Sequence, residues 1–201
     1  RGAGGRAVHG FLVRPPSFQK GRTYPLILLI HGGPQTAFAD HFHYRWNAQL
    51  FAARGAVVAF VNPRGSTGYG QEFQDQICGD WPGRCYEDIM RGVDHILDAF
   101  PFVDGERMAA AGASFGGFMV NWIAGQAPER FRCFVSHAGR LDERTAYLST
   151  DELWFPEWDH EGTPWGNPDG YETHNPIDYV ERWRTPMLIV HGGRDYRVAL
   201  R

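Results

Sequence analysis

The chain has 201 residues, a hydrophobic share of 43% and a formal net charge of −3. That length suits one domain able to bury most of the apolar surface its unfolded state exposes. The slight acidity provides no basic face for nucleic acid, and no apolar run reaches the ~18 residues of a membrane span.

Residues 7–13 alternate weakly and stop at Pro15-Pro16, which reads as an early strand and a loop. The run Pro25-Leu26-Ile27-Leu28-Leu29-Ile30 is continuously aliphatic, as expected of a strand covered on both faces of a parallel sheet. Residues 47–54 read as a helix stopped by Gly55. Residues 56–61 read as a second buried strand, broken by Asn62-Pro63-Arg64-Gly65. Ile89, Val93, Ile96 and Leu97 fall at helical spacing and predict a helix over 86–100, with Glu87 and Asp88 suited to its first turn. Pro101 and Asp104-Gly105 end it. A small-residue strand, Met108-Ala109-Ala110-Ala111, then runs into Gly112-Ala113-Ser114-Phe115-Gly116-Gly117 and an apolar helical segment, 118–124. Further strands are predicted at 131–135 and 186–190. Between Leu141 and Tyr179 lies an aromatic, Pro-rich stretch too long for a simple connector, which reads as a functional insertion. Strands separated by helices predict an α/β fold: a doubly wound, mostly parallel sheet with active groups at the strands' carboxyl ends.

Three cysteines do not make a disulfide framework. Cys78 and Cys85 flank a turn-rich segment containing Pro82-Gly83, so a local bridge and two free thiols both fit. A bridge would favour an oxidising compartment, periplasmic or secreted; free thiols leave a cytoplasmic protein open. Cys133, in an apolar strand, reads as small core filler.

The order strand, G-x-S-x-G, helix is a nucleophile elbow. Glycines two before and two after Ser114 let strand and helix cross closely, and the turn lifts the serine hydroxyl clear of the sheet. A chance match in a chain with 25 glycines is the plain alternative; the flanking elements and the extra Gly117 weigh against it. An attacked carbonyl needs donors for its developing charge. The amide of Phe115 supplies one, and the loop His31-Gly32-Gly33-Pro34 supplies the second at Gly33. The alternative there is a Gly-Gly turn that merely closes a strand. His31 reads as structural. Asp195, directly after the 186–190 strand, stands where a triad acid belongs, against the plain reading of a turn aspartate. His191 reads as packed; His137 is the other histidine close to a strand end. Asp40-His41-Phe42-His43 has metal-like spacing without a third ligand cluster, so neither metal nor cofactor is expected. The Gly-rich loop 64–70 lacks the Lys-Ser/Thr pair of a phosphate loop, and Gly2-Ala3-Gly4-Gly5 follows no strand.

Together, His31-Gly32-Gly33-Pro34, Asn62-Pro63-Arg64-Gly65-Ser66-Thr67-Gly68-Tyr69-Gly70, the Ser114 elbow and His191-Gly192-Gly193-Arg194-Asp195-Tyr196-Arg197-Val198 resemble the catalytic domain of the prolyl oligopeptidase family of serine peptidases. Asp151–Asp159 and Thr163-Pro164-Trp165 resemble its acylaminoacyl-peptidase and dipeptidyl-peptidase V branch. The resemblance implies an α/β-hydrolase fold, with Ser114 as nucleophile, Asp195 as acid and Gly33 and Phe115 as oxyanion donors. It implies short peptides as substrates, release of N-terminal dipeptides or acyl-amino acids, and an amino-terminal β-propeller; a homo-oligomer is left open. Neither a propeller before Arg1 nor a segment with the triad histidine after Arg201 is present. Residues 1–201 are therefore expected to be a partial catalytic domain without a productive triad. Trp154, Phe155 and Trp158, with the Phe115 side chain, are expected to line an apolar specificity pocket, or else to fill core beneath a long loop. A carboxylesterase or lipase on the same fold, or an inactive peptide-binding module, are the competing functions.

Overall fold

The computed structural model describes residues 1–200. Its strands are His9–Val13 (β1), Tyr24–Ile30 (β2), Val57–Asn62 (β3), Val103–Ala113 (β4), Cys133–His137 (β5) and Met187–Val190 (β6). Its α-helices are Ala48–Ala52 (α1), Gln71–Asp75 (α2), Gly83–Ala99 (α3), Phe115–Gln126 (α4), Glu143–Ser149 (α5), Trp154–Asp159 (α6) and Asp169–Glu172 (α7). The strands form one sheet in the order β1-β3-β2-β4-β5-β6. Only β1 runs antiparallel to its neighbour; every other pairing is parallel.

The unbroken aliphatic runs have the expected cause. Successive strand residues face opposite sides, and helices cover both. Leu26, Leu28 and Ile30 join Val57, Ala59 and Val61 in the larger core under α3 and α4. Leu29 meets Val58, Phe60 and Ala111 in a second core under α1. Asn47 caps α1 by accepting from the Gln49 amide at 2.9 Å, and Gly55, at φ +90°, ends it. Helix α4 shows no amphipathic stripe because every residue from Phe115 to Gly125 is buried.

Several sequence expectations are corrected. Asp104-Gly105 does not end an element. Pro25 pairs with Asp104 and Leu26 with Met108, so residues 105–107 bulge out of a longer β4. Pro82-Gly83 is not a bend between cysteines but the start of α3, where proline forfeits no hydrogen bond. Cys78 and Cys85 are free thiols. Cys133 is exposed, not core: strand alternation buries Phe134 and Ser136 and puts Cys133 on the opposite face, at the start of β5. The 141–179 insertion is built from α5, α6 and α7. Asn175 closes it by accepting from the Glu143 amide at 3.0 Å and donating to Asp142 at 2.7 Å.

The segment 62–70 is fixed to α3 by a buried ion pair. Arg64 Nη1 lies 2.5 Å from Asp88 Oδ1, with both side chains almost fully buried. Asp88 also accepts from the amides of Arg64 at 3.0 Å and Ala3 at 2.7 Å. Removing one partner of such a pair strands the other charge, at a cost of about 3–5 kcal/mol. Asp88→Ala is expected to lose that much in denaturant unfolding; a loss below about 1 kcal/mol would contradict the assignment.

Candidate active site

Strand β4 ends at Ala113 and α4 begins at Phe115, so Ser114 alone turns the chain. It adopts φ +58° and ψ −120°, a conformation that costs a residue bearing a Cβ roughly 1–3 kcal/mol. Its amide donates to the His137 carbonyl at 2.9 Å, and its carbonyl accepts from the Phe118 amide at 2.9 Å. The glycines around it leave no alternative. A Cβ on Gly112 would lie 2.4 Å from the Gly116 carbonyl oxygen, and one on Gly116 would lie 2.2 Å from that of Ile30. One on Gly117 would meet Gly139 Cα at 2.7 Å.

Because α4 crosses so close to the end of β2, the loop after β2 rests against the serine. A Cβ on Gly32 would stand 3.5 Å from Ser114 Cβ. Gly33 follows at φ +110°, a conformation open to glycine. The amides of Gly33 and Phe115 donate to no acceptor among the described residues, and Phe115 is the first residue of α4, where orphan amides and the helix dipole favour an anion. His31 anchors the loop. Its Nδ1–H donates to the Gly32 carbonyl at 2.7 Å, which leaves Nε2 to accept from the Ser66 hydroxyl at 2.9 Å. Burial holds the ring below the usual histidine pKa, against the contrary pull of the Gly32 carbonyl. The ring is therefore neutral and structural, as expected.

Ser114, Gly33, Asp195, Trp154 and Phe155 line one open cavity of about 1180 Å³. Asp195 Oδ1 accepts from the amides of Arg197 at 3.2 Å and Val198 at 3.0 Å, and its side chain faces the same cavity as Ser114. Two histidines are engaged elsewhere: His191 Nε2 with the Val198 carbonyl at 2.6 Å, His160 with Glu143 at 3.3 Å. His137 lines the cavity, but among the described residues no histidine bonds to the Ser114 hydroxyl. His43 Nδ1 accepts from the amides of Arg45 and Trp46 at 3.1 and 3.0 Å, so it closes a turn.

Two of the expected pocket walls lie elsewhere. The Phe115 side chain is 3% exposed and packs edge-on to Trp81 at 4.7 Å, because α4 turns it into the core. Trp158 is 69% exposed and stands apart from the cavity lining, beside Cys78. Arg140, three residues past β5, went unnoticed in the sequence although strand ends are where site residues gather. It lines the cavity, donates to Glu143 Oε2 at 2.7 Å and lies over Trp81 at 5.1 Å and Phe155 at 5.7 Å. Burial raises the Glu143 carboxyl, but Arg140 and His160 outweigh it and hold the group below its usual range. Glu152 and Arg197, 2.5 Å apart, pair along the cavity wall.

Residues 42–201 match the model of the prolyl oligopeptidase family. The chain is 44% identical over 198 residues to dipeptidyl-peptidase 5 of Schizosaccharomyces pombe, covering 98% of this chain and 29% of that protein. It is 41% identical to dipeptidyl-peptidase 5 of Aspergillus oryzae, covering 95% of this chain and 27% of that one. Among solved structures, Pyrococcus horikoshii acylaminoacyl peptidase superimposes with a TM-score of 0.89 at 30% identity, over 96% of this chain and 31% of its own. The chain thus spans less than a third of the length of each relative. The mostly parallel α/β sheet expected from the alternating elements is the one observed, and it matches the α/β-hydrolase fold implied by the resemblance.

Neutral His31 makes stability depend on pH with a definite sign. Its pKa is lower folded than unfolded, so the unfolded chain binds the extra proton and stability falls as pH drops through about 6.5. Between about pH 7.5 and about pH 5.5 the wild type is expected to lose about 1 kcal/mol more in urea unfolding than His31→Gln. Equal losses would contradict a neutral His31.

Proposed function

The chain belongs to the prolyl oligopeptidase family, and from that membership we propose that it carries the nucleophile of a serine peptidase acting on short peptides. Ser114 attacks the scissile carbonyl, the Gly33 and Phe115 amides receive the oxyanion, and an acyl-enzyme forms that water then hydrolyses. Asp195 is the acid of the triad. As no described histidine bonds to the Ser114 hydroxyl, the general base on this reading is a histidine outside residues 1–201 that reaches between Ser114 and Asp195. Trp154 and Phe155 favour an apolar residue on the acyl side of the bond. Likeness to the dipeptidyl-peptidases 5 points to release of N-terminal dipeptides, and likeness to acylaminoacyl peptidases to acyl-amino acids as the alternative product.

One observation carries the reading: a serine at φ +58° shares a cavity with Gly33 and the Asp195 carboxylate, and the Phe115 amide that follows it donates, like that of Gly33, to no acceptor among the described residues. A serine that only caps α4 has no reason to hold that strain. In the full-length protein, dipeptidyl anilides are expected to be cleaved, and Ser114→Ala to lower kcat/KM by at least about 10⁴-fold. Wild-type rates in that variant would overturn the proposal. Turnover of short acyl esters with no anilide cleavage would favour the esterase.

A further inference from the structure

The loop that carries Gly33 is held from two sides. On the first side Thr36 Oγ1 donates to the Gly32 carbonyl at 2.8 Å, the Thr67 amide to the Thr36 carbonyl at 3.0 Å, and His31 meets Ser66. On the second, Gln35 reaches across to the insertion. Its Nε2 lies 2.9 Å from Asp159 Oδ1 and 3.2 Å from Oδ2, a contact between residues 124 apart in sequence.

Asp159 is an unusual partner. It closes α6, is 0% exposed and, among the described residues, forms no salt bridge; besides Gln35, the described side chain that bonds to it is the Cys78 thiol, at 3.7 Å. His160 and Arg140 are near enough to act on it electrostatically, but both are paired with Glu143, and burial still raises the Asp159 carboxyl above its usual range. Burying a carboxylate among uncharged partners costs stability, and an apolar residue of similar size would avoid that cost. The main-chain link from the Gly79 amide to the Asp159 carbonyl, 2.8 Å, already ties α6 in place without the side chain. Apart from the distant Cys78 thiol, what the carboxylate holds is Gln35. Only Pro34, whose ring fixes its φ, separates Gln35 from the oxyanion donor, and the Thr36 amide closes the turn on the Pro34 carbonyl at 2.8 Å. A shift of Gln35 therefore moves Gly33.

We propose that Asp159 is a positioning residue of the catalytic centre, which acts through Gln35 to fix the Gly33 amide where the oxyanion forms. The insertion is then a working part of the oxyanion hole. The inference rests on the serine-peptidase reading above, and it extends that reading to residues that touch neither substrate nor Ser114.

The test compares full-length wild type with Gln35→Leu, Asp159→Leu, Asp159→Asn and the double Leu variant. Reactive serine is first titrated to completion with a fluorophosphonate, so that rates are per labelled site. On a dipeptidyl anilide, kcat per site is expected to fall about tenfold to a hundredfold in each single Leu variant, short of the roughly hundredfold to thousandfold for deleting a donor outright. KM should change less than about threefold, and a peptide boronate, which mimics the tetrahedral oxyanion, should weaken in proportion to kcat. The double variant should fall no further than the worse single one, because both remove one contact. Asp159→Asn keeps an oxygen for the Gln35 amide and should retain most activity. A variant that merely unfolds gives fewer sites at wild-type kcat. That result, or multiplicative loss in the double variant, would overturn the proposal. A wild type that neither takes the probe nor cleaves peptide overturns the peptidase reading and this inference with it.

Discussion

Everything at the site depends on one close approach, the crossing of α4 over the carboxyl ends of β2 and β4. Gly116 lies so near the Ile30 carbonyl that no side chain fits between them. That contact forces Ser114 out of ordinary backbone space and brings Gly32 against it. The strain of roughly 1–3 kcal/mol is small beside the burial of α4, where Phe118, Met119 and Ile123 are each almost wholly inaccessible and contribute about 2 kcal/mol apiece. A hydrophobic helix thus holds a polar residue in a conformation that residue would not choose.

The loops then need separate anchors, since glycines give close approach but no rigidity. Polar side chains supply them from distant elements. His31 ties the β2 loop to Ser66, Arg64 ties the β3 loop to Asp88, and Gln35 ties the turn after Gly33 to Asp159. Each is buried or nearly so, where a paired polar group is strong and an unpaired one costly. The cavity mouth is organised differently, by Glu152 with Arg197 and by Arg140 stacked on aromatic rings.

What could be read from the sequence follows from the range of the interaction. Residues 25–30 and 56–61 announce buried strands because their whole environment is apolar. Gly112 to Gly117 announces an elbow because its constraint is local. The bulge at 105–107 is invisible, since it exists only in the register of β4 against β2. Pro82-Gly83 signals a turn and a helix start equally well. Phe115 shows the limit within one residue: its amide position followed from the motif, while its side chain went to the core because α4 is buried all round. The missed Gln35–Asp159 contact joins residues with no sequence pattern between them. An aspartate after an aromatic run looks like any helix end.

The central claim is that Ser114 attacks the substrate carbonyl. The full-length protein, quenched with acid during turnover of a slow dipeptidyl ester and digested, tests it by mass spectrometry of the peptide containing Ser114. The account predicts a dipeptidyl adduct on Ser114 that appears during turnover and decays as substrate is exhausted. Turnover with that peptide unmodified, or with the adduct on another residue, would contradict it.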